Sequence, residues 1–178
     1  RDSCSTCHTP RNFLMAKEEG KALGGASLGT WFGPNITSDP AAGIGKWSVD
    51  DIAGYLSTGH SPIGSQAGGP MLEAIDKSFS KLDAKDVKAI ATYIHGVAAQ
   101  SMNAAPGKAV TTAPVLTDFA LMTGSASEGA TLYSDHCATC HQPSGDGRNG
   151  LPALFGNAAL IHRPTADNVV MAMMDGLV

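Results

Sequence analysis

The pentapeptide Cys-x-x-Cys-His occurs twice in the chain, as CSTCH at residues 4–8 and as CATCH at residues 137–141. This spacing is the signature of covalent c-type haem attachment, in which the two thiols bond to the porphyrin. The adjacent histidine then ligates the iron. All four cysteines of the chain belong to these two motifs. The sequence therefore predicts two covalent haems, with the protein core built around them.

Other uses of paired cysteines fit the chain less well. A four-cysteine zinc site commonly has its two pairs about 15–20 residues apart, whereas 130 positions separate Cys7 from Cys137. A thioredoxin-like pair requires a neighbouring βαβ pattern, and iron–sulfur ligation uses tighter groups of cysteines. The predicted attachment residues and iron ligands are Cys4, Cys7, His8, Cys137, Cys140 and His141.

Composition narrows the class of protein. The formal charge is −4, which gives no support for a nucleic-acid partner. No run of about 18 apolar residues is present, so no membrane span is predicted. Aromatic residues make up only 6% of the chain, which is low for ordinary core filling. A flat apolar cofactor that fills part of the core agrees with this deficit.

An internal repeat organises the chain into two similar halves. In each half, a short helix is predicted between a polar N-cap and a glycine stop. Ser48 and Gly59 take these roles in the first half, and Thr165 and Gly176 take them in the second. Counted from the residue before each N-cap, Trp47 and Pro164, both stretches run 12 positions to the glycine. The repeat predicts an all-α fold with two tandem domains, each wrapped on one haem.

The expected boundaries follow from the repeat. Residues 1–97 form one domain, 98–126 an extended linker, and 127–178 the second domain. The first half continues past its glycine to a further helical stripe ending near Ile94, and the second half has no such continuation. We therefore expect the second domain to lack its distal-ligand loop and last helix, and the first to lack its N-terminal helix. The full polypeptide is expected to be longer and to carry a third haem.

The second axial ligand of the first haem is predicted to be Met71, because methionine commonly completes the coordination of electron-transfer haems. Met71 follows a Gly-Gly-Pro sequence and is expected in a loop between two helices. His60 is the alternative ligand, since it also lies in a predicted loop. Met15 is too close to His8 in sequence to reach the opposite face of the haem. The distal ligand of the second haem is not assigned.

The string GPNITSD at residues 33–39, followed by GIGKWS at 43–48, resembles the cytochrome c subunits of membrane-bound bacterial dehydrogenases. The resemblance covers most of the chain except the linker. It implies tandem class I-like cytochrome c domains in the periplasm, on the outer face of the inner membrane. It also implies that Pro34 and Pro152 offer carbonyl oxygens to the two haem-ligating histidines.

The resemblance further implies partners. Such subunits pass electrons from a catalytic dehydrogenase subunit of alcohol, aldehyde or sugar type to ubiquinone or a terminal oxidase. Membrane association would come from segments outside this chain or from the partners. The order Gly-Pro-Met at residues 69–71 is more similar to cytochromes paired with molybdopterin aldehyde dehydrogenases, which leaves the substrate open.

The predicted function is therefore electron transfer, and no residue is predicted to perform acid–base or nucleophilic catalysis. The chain by itself is expected not to be an enzyme but a subunit of an oxidoreductase complex. The alternative is a dihaem cytochrome c peroxidase. That enzyme would need one haem with an open distal site.

Overall fold

The computed structural model describes residues 2–61, 65–100, 128–148, 151, 154 and 166–177. Three sequence predictions lie outside the described residues: the linker beyond residue 100, the N-cap Thr165 and the loop residue Pro152. Among the described residues, no helix is long and apolar enough to cross a membrane.

The described part of the chain is mostly helical. Its helices are α1 (Asp2–His8), α2 (Val49–Thr58), α3 (Gly69–Lys77), α4 (Ala84–His95), α5 (Glu128–His136), α6 (Ala138–His141) and α7 (Asp167–Asp175). Short 3₁₀ turns occur at Glu19–Lys21 and Phe79–Lys81. The prediction of a mostly helical fold is confirmed for the described residues.

A small sheet is the exception to the all-α prediction. Strands β1 (Ala26–Leu28) and β2 (Trp31–Gly33) pair antiparallel, with Ser27 opposite Phe32. Gly29 opens the loop between them with φ +76°, a left-handed conformation that glycine adopts without steric strain. Strands of three residues are too short to show a period-two pattern, which is why the sequence did not indicate them.

Helix α2 begins and ends where the sequence predicted. The Asp51 N–H donates to Ser48 Oγ at 3.1 Å, and the Ser48 N–H donates to Asp51 Oδ2 at 2.8 Å. This reciprocal pair satisfies two main-chain donors that would otherwise have no partner in the helix. Gly59 ends the helix with φ +79°. Both local predictions for this helix are confirmed.

Helix α7 confirms one of its two predicted ends. Gly176 follows the helix with φ +78°. The residue before the helix is Ala166, and no side chain caps the helix there. Asp167 lies in the first turn, where a carboxylate is favourable to the helix dipole. The predicted N-cap Thr165 lies outside the described residues.

The core lies between α2 and α4. Ile52 and Leu56 are buried on α2, and Val87, Ala91 and Ile94 are buried on α4. The spacings of three and four residues place each set on one helix face. Burial of each large side chain contributes about 1.5–3 kcal/mol. This cluster is the platform against which the neighbouring loops and α3 pack.

Tyr55 of α2 lies beside the same core. Its ring meets the Trp47 ring edge-to-face, with 5.6 Å between the ring centroids. Burial raises the pKa of Tyr55 to about 12, so its hydroxyl stays neutral across the physiological range. The aromatic pair therefore links the residue two positions before α2 to the second half of that helix.

We predict that Ser48→Ala lowers the free energy of unfolding by about 1 kcal/mol, because it removes the N-cap of α2. Ser57→Ala is the matched control in the same helix, since the Ser57 hydroxyl only bonds back to Ala53 O. Urea unfolding of both variants checks the prediction. Equal stability of the two variants would contradict it.

The difference in stability between wild type and Ser48→Ala is expected to depend on pH. The Ser48 hydroxyl holds the pKa of Asp51 below its usual range, helped by the Ser48 main-chain N–H. A carboxyl whose pKa is lower in the folded than in the unfolded state stabilises the fold at pH values above its unfolded-state pKa. This stabilisation is lost as the pH falls through the folded-state pKa. Urea titrations at neutral and strongly acidic pH should therefore show a smaller gap between wild type and Ser48→Ala in acid.

Candidate haem-binding site

The whole first motif lies on helix α1. Cys4 and Cys7 are three residues apart, and His8 is four residues after Cys4, so the helix places all three side chains on one side. Cys4 and Cys7 are half-buried, whereas His8 is only 7% exposed. The four cysteines form no disulfide with one another. The local backbone thus already groups two thiols with one imidazole.

The ring of His8 is held in one protonation state. Its Nδ1 lies 2.7 Å from the carbonyl oxygen of Pro34. Because a carbonyl only accepts, Nδ1 must donate, and the lone pair lies on Nε2. Burial lowers the pKa of His8, although the bond to Pro34 partly opposes that shift. A neutral imidazole with Nδ1–H is the form that ligates a metal through Nε2.

Gly33 allows β2 to approach the motif. A Cβ at this position would collide with the Cys7 carbonyl oxygen and would lie 3.4 Å from His8 Nδ1. Glycine is therefore the residue that lets the following Pro34 carbonyl reach the imidazole. Sequence reasoning did not single out Gly33. The available signal was a Gly-Pro pair at the start of the loop predicted to follow the motif.

The loop after Pro34 is fastened by a buried polar network. The main-chain N–H and the hydroxyl of Thr37 donate to Asn35 Oδ1, at 2.8 and 2.7 Å. Asn35 Nδ2 donates to Gln100 O at 2.9 Å, and Gln100 N–H donates to Thr37 Oγ1 at 3.0 Å. Asn35 and Thr37 are 6% and 0% exposed. The string that carries the family resemblance thus fastens the loop to the segment after α4.

A second polar pair anchors the end of α1. The hydroxyls of Ser5 and Thr9 lie 3.0 Å apart, and the Leu23 N–H donates to Thr9 Oγ1 at 3.0 Å. The Gly25 N–H also donates to His8 O at 2.8 Å. These bonds hold residues 23–25 against the motif. Sequence reasoning missed both hydroxyls, for which only the four-residue spacing gave a signal.

Met71 lies in a helix and not in the predicted loop. It is in the first turn of α3, after Pro70. Proline favours the start of a helix because its φ is already helical and its missing N–H has no helical partner there. Met71 is half-buried and packs against the α2–α4 core, as does Cys4. The two side chains therefore share one apolar platform.

The alternative ligand His60 is exposed. Its Nδ1 lies 3.0 Å from the Thr58 carbonyl oxygen, so the ring is occupied by a local bond just past the end of α2. Among the two candidates, Met71 has the apolar surroundings that a haem ligand requires. Its role as ligand stays a prediction.

An apolar cavity of about 410 Å³ opens beside Cys4. Its lining residues are Cys4, Leu23, Ala89, Ile90, Tyr93 and Ile94. This volume lies within the range of small-molecule sites, roughly 300–1,000 Å³. His8 and Met71 are not among its lining residues. An apolar space next to an attachment thiol fits the edge of a haem.

The second motif begins at Cys137, which follows α5. The Cys137 N–H donates to Tyr133 O at 2.9 Å, and the His141 N–H donates to Cys137 O at 2.9 Å. The Tyr133 hydroxyl donates to Gln142 O at 2.6 Å, which ties α5 to the residue after the motif. Cys140 is exposed, and Cys137 and His141 are half-buried. The cysteines and histidine of this motif are thus close together, as in the first.

The alternative zinc site is not assembled in the described part of the chain. There, no three side chains of His, Cys, Asp or Glu come together in a group that could hold a metal ion. Each motif keeps its two cysteines and its histidine within five consecutive residues, 4–8 and 137–141.

Three features define the class of protein. They are the two thiols and one imidazole in each motif, the tautomer of His8, and the apolar side chains around Cys4 and Met71. The chain has the character of a c-type cytochrome. A family model described as cytochrome c matches residues 126–172, which include the second motif.

Comparison with known proteins identifies the particular group within that class. The chain is 38% identical over 166 residues to the fructose dehydrogenase cytochrome subunit of Gluconobacter japonicus, covering 86% of this chain and 34% of that protein. It is 32% identical over 168 residues to the alcohol dehydrogenase (quinone) cytochrome c subunit of Gluconobacter oxydans, covering 89% and 34%. It is also 32% identical over 168 residues to the gluconate 2-dehydrogenase cytochrome c subunit of Pantoea cypripedii, covering 88% and 36%.

Over most of its length the chain is thus similar to cytochrome c subunits of bacterial dehydrogenases, and the resemblance predicted from residues 33–48 is confirmed. It spans about a third of the length of these relatives.

We predict that Gly33→Ala destabilises the protein by about 1–3 kcal/mol, as overpacking against a backbone atom does. The new methyl group must move β2 away from Cys7, which withdraws Pro34 from His8. Gly54→Ala is the control, because that helical glycine has open space around its Cβ position. It should be neutral or stabilising by up to about 1 kcal/mol.

Unfolding curves measure the stability of both variants, and the mass of the purified proteins measures their covalent haem. The Gly33→Ala protein should also retain less covalent haem than the control. Full haem content and wild-type stability in Gly33→Ala would show that the close approach is dispensable.

Proposed function

We propose that this chain transfers electrons within a dehydrogenase complex, taking them from a catalytic dehydrogenase subunit and passing them to ubiquinone or a terminal oxidase. The carrying observation is the buried, neutral His8 with its Nδ1 bonded to Pro34 O, on a helix that also presents two thiols. Covalently bound haem supplies one-electron redox chemistry. The protein supplies attachment, ligands and dry surroundings.

The names of the relatives support a dehydrogenase partner. They are cytochrome subunits of dehydrogenases for fructose, alcohol and gluconate, and the alcohol enzyme is described as quinone-linked. Three different substrates occur among similar cytochromes, so the catalytic subunit sets the substrate. For this chain we infer an alcohol- or aldehyde-type partner, in the periplasm at the outer face of the inner membrane.

Each residue has a distinct role in this proposal. Cys4 and Cys7 would attach the first haem, and His8 would ligate its iron through Nε2. Pro34 orients the imidazole, a contact that typically tunes the ligand's basicity. Met71 would supply a second ligand, and a thioether raises the reduction potential relative to a second histidine. In the second unit, Cys137, Cys140 and His141 take the first three roles, and Pro152 takes that of Pro34.

Two tandem cytochrome c units, 1–97 and 127–178, joined by a linker at 98–126, remain the proposed organisation. One contact moves the first boundary slightly. The bonds of Gln100 to Asn35 and Thr37 attach three residues of the expected linker to the first unit. We therefore propose that the first unit extends to Gln100.

The haem content of the protein tests this function directly. Exported wild type should have the mass of the chain plus two haems. The double variant Cys4→Ser/Cys7→Ser should lose one haem, and Cys137→Ser/Cys140→Ser should lose the other. Reduction of both haems by a quinone-linked dehydrogenase, followed by reoxidation with a ubiquinone analogue, would support the proposal. No covalent haem would overturn it, and rapid turnover of hydrogen peroxide would favour the peroxidase alternative.

We predict that Met71→Ala lowers the reduction potential of one haem and lets that haem bind added imidazole, because the weak-field thioether ligand is lost. His60→Ala is the matched control and should leave potential and spectrum unchanged, since His60 is exposed and bonded to Thr58 O. Redox titration followed by visible spectroscopy measures both. The opposite pattern would assign the ligand to His60.

A further inference from the structure

Helix α7, which follows the second motif in the chain, is bonded to strand β2 of the first unit. The Phe32 N–H donates to Asn168 Oδ1 at 2.8 Å, and Asn168 Nδ2 donates to the Phe32 carbonyl oxygen at 3.0 Å. The two residues are 136 positions apart. A single side-chain amide thus makes the pair of bonds that a residue of a neighbouring strand would make.

This pairing provides hydrogen-bond partners for main-chain groups at the edge of the small sheet. A sheet of two strands consists of edges only, and edge strands carry main-chain donors and acceptors that need partners. An asparagine amide offers one acceptor and two donors on a short side chain, so it can satisfy both groups of Phe32. Aspartate has no donor, and alanine has neither group.

A second contact lies at the other end of α7. A Cβ at Gly68 would lie 2.6 Å from Leu177 Cδ2 and 3.1 Å from Trp31 Cη2. Trp31 also covers Gly69, where a Cβ would collide with its ring. The end of α7 therefore lies against the start of α3, with the Trp31 ring in the same contact.

These two contacts lie next to the predicted axial ligands of the first haem. Phe32 precedes Gly33 and Pro34, whose carbonyl holds the His8 ring. Gly68 and Gly69 directly precede Pro70 and Met71. One helix of the second unit thus contacts both segments that position the ligands of the first unit.

We propose that Asn168 is a positioning residue, whose amide docks α7 on β2 and so holds the second haem-binding unit at a fixed distance and orientation from the first. The electron-transfer part of this inference rests on the proposed function, but the docking does not. In the transfer that the docking serves, one electron leaves the ferrous iron of one haem and reduces the ferric iron of the other. No proton or further reactant takes part.

The test compares variants of the haem-loaded protein. Asn168→Ala removes both bonds, and Asn168→Asp keeps the shape but replaces the donor with an oxygen that repels the Phe32 carbonyl. Leu177→Ala weakens the second contact and is 40% exposed, so it is compatible with folding. Met174→Ala is the control, because Met174 lies on the same helix and is 75% exposed.

Hydrogen exchange of the Phe32 amide reports the docking. We expect about tenfold faster exchange in Asn168→Ala than in wild type, the size expected for the loss of one or two hydrogen bonds. Asn168→Asp should not restore slow exchange, and Met174→Ala should match wild type. Wild-type exchange in Asn168→Ala would overturn the docking and with it the proposal.

The positioning role needs a readout that fold stability alone does not move. Pulsed electron paramagnetic resonance between the two ferric haems gives their distance distribution, and flash reduction gives the rate of transfer between them. We expect a broader distribution and slower transfer in Asn168→Ala and Leu177→Ala, with Met174→Ala unchanged. Faster Phe32 exchange with an unchanged distance and rate would overturn the positioning role.

The haem content and the exchange rate of the Phe32 amide together distinguish a failure of this inference from a failure of the proposed function. A wild-type protein that carries fewer than two haems would overturn the proposed function, together with the electron-transfer part of this inference. The Phe32 exchange experiment would still decide whether Asn168 docks α7, because that readout needs no haem.

Discussion

The hydrogen bond between His8 Nδ1 and the Pro34 carbonyl oxygen is the constraint on which the first site depends. It leaves the lone pair of the neutral ring on Nε2. Burial lowers the pKa of His8 and so favours the neutral ring, and this effect outweighs the opposing effect of the bond. The bond forms only because Gly33 lets the strand approach Cys7 without a side chain in the way. The Asn35–Thr37 network then prevents the loop from moving away. An accurately placed imidazole thus requires an ordered loop more than 25 positions away in sequence.

The α2–α4 core connects the two predicted sides of the haem. Cys4 and Met71 both pack against it, although they come from different helices. Because cores are closely packed and transmit displacement, a change in this cluster would reach the attachment thiol and the predicted distal ligand together. Helix α7 adds a contact on the outer side, against the segments that precede Pro34 and Met71. The first unit is therefore supported from its core and from its neighbour.

Local signals in the sequence were accurate where the chain determines its own conformation. Ser48, Gly59 and Gly176 take the predicted helix-end positions, since capping bonds and left-handed glycines involve residues close in sequence. The two errors have separate causes. Met71 was expected in a loop because the glycines before it suggested one, but Pro70 begins a helix there. The strands were missed because three residues carry no period.

By itself, the sequence identified the resemblance to cytochrome c subunits, and it predicts covalent haem attachment and a two-part organisation, because motif spacing and residue type carry that information directly. Only the tertiary structure decided which nitrogen of His8 is available, and that Asn168 pairs with the main chain of Phe32. Those partners are 26 and 136 positions apart. A pattern along the chain reports neighbours within a turn or a strand, whereas such bonds depend on how the helices and the small sheet pack.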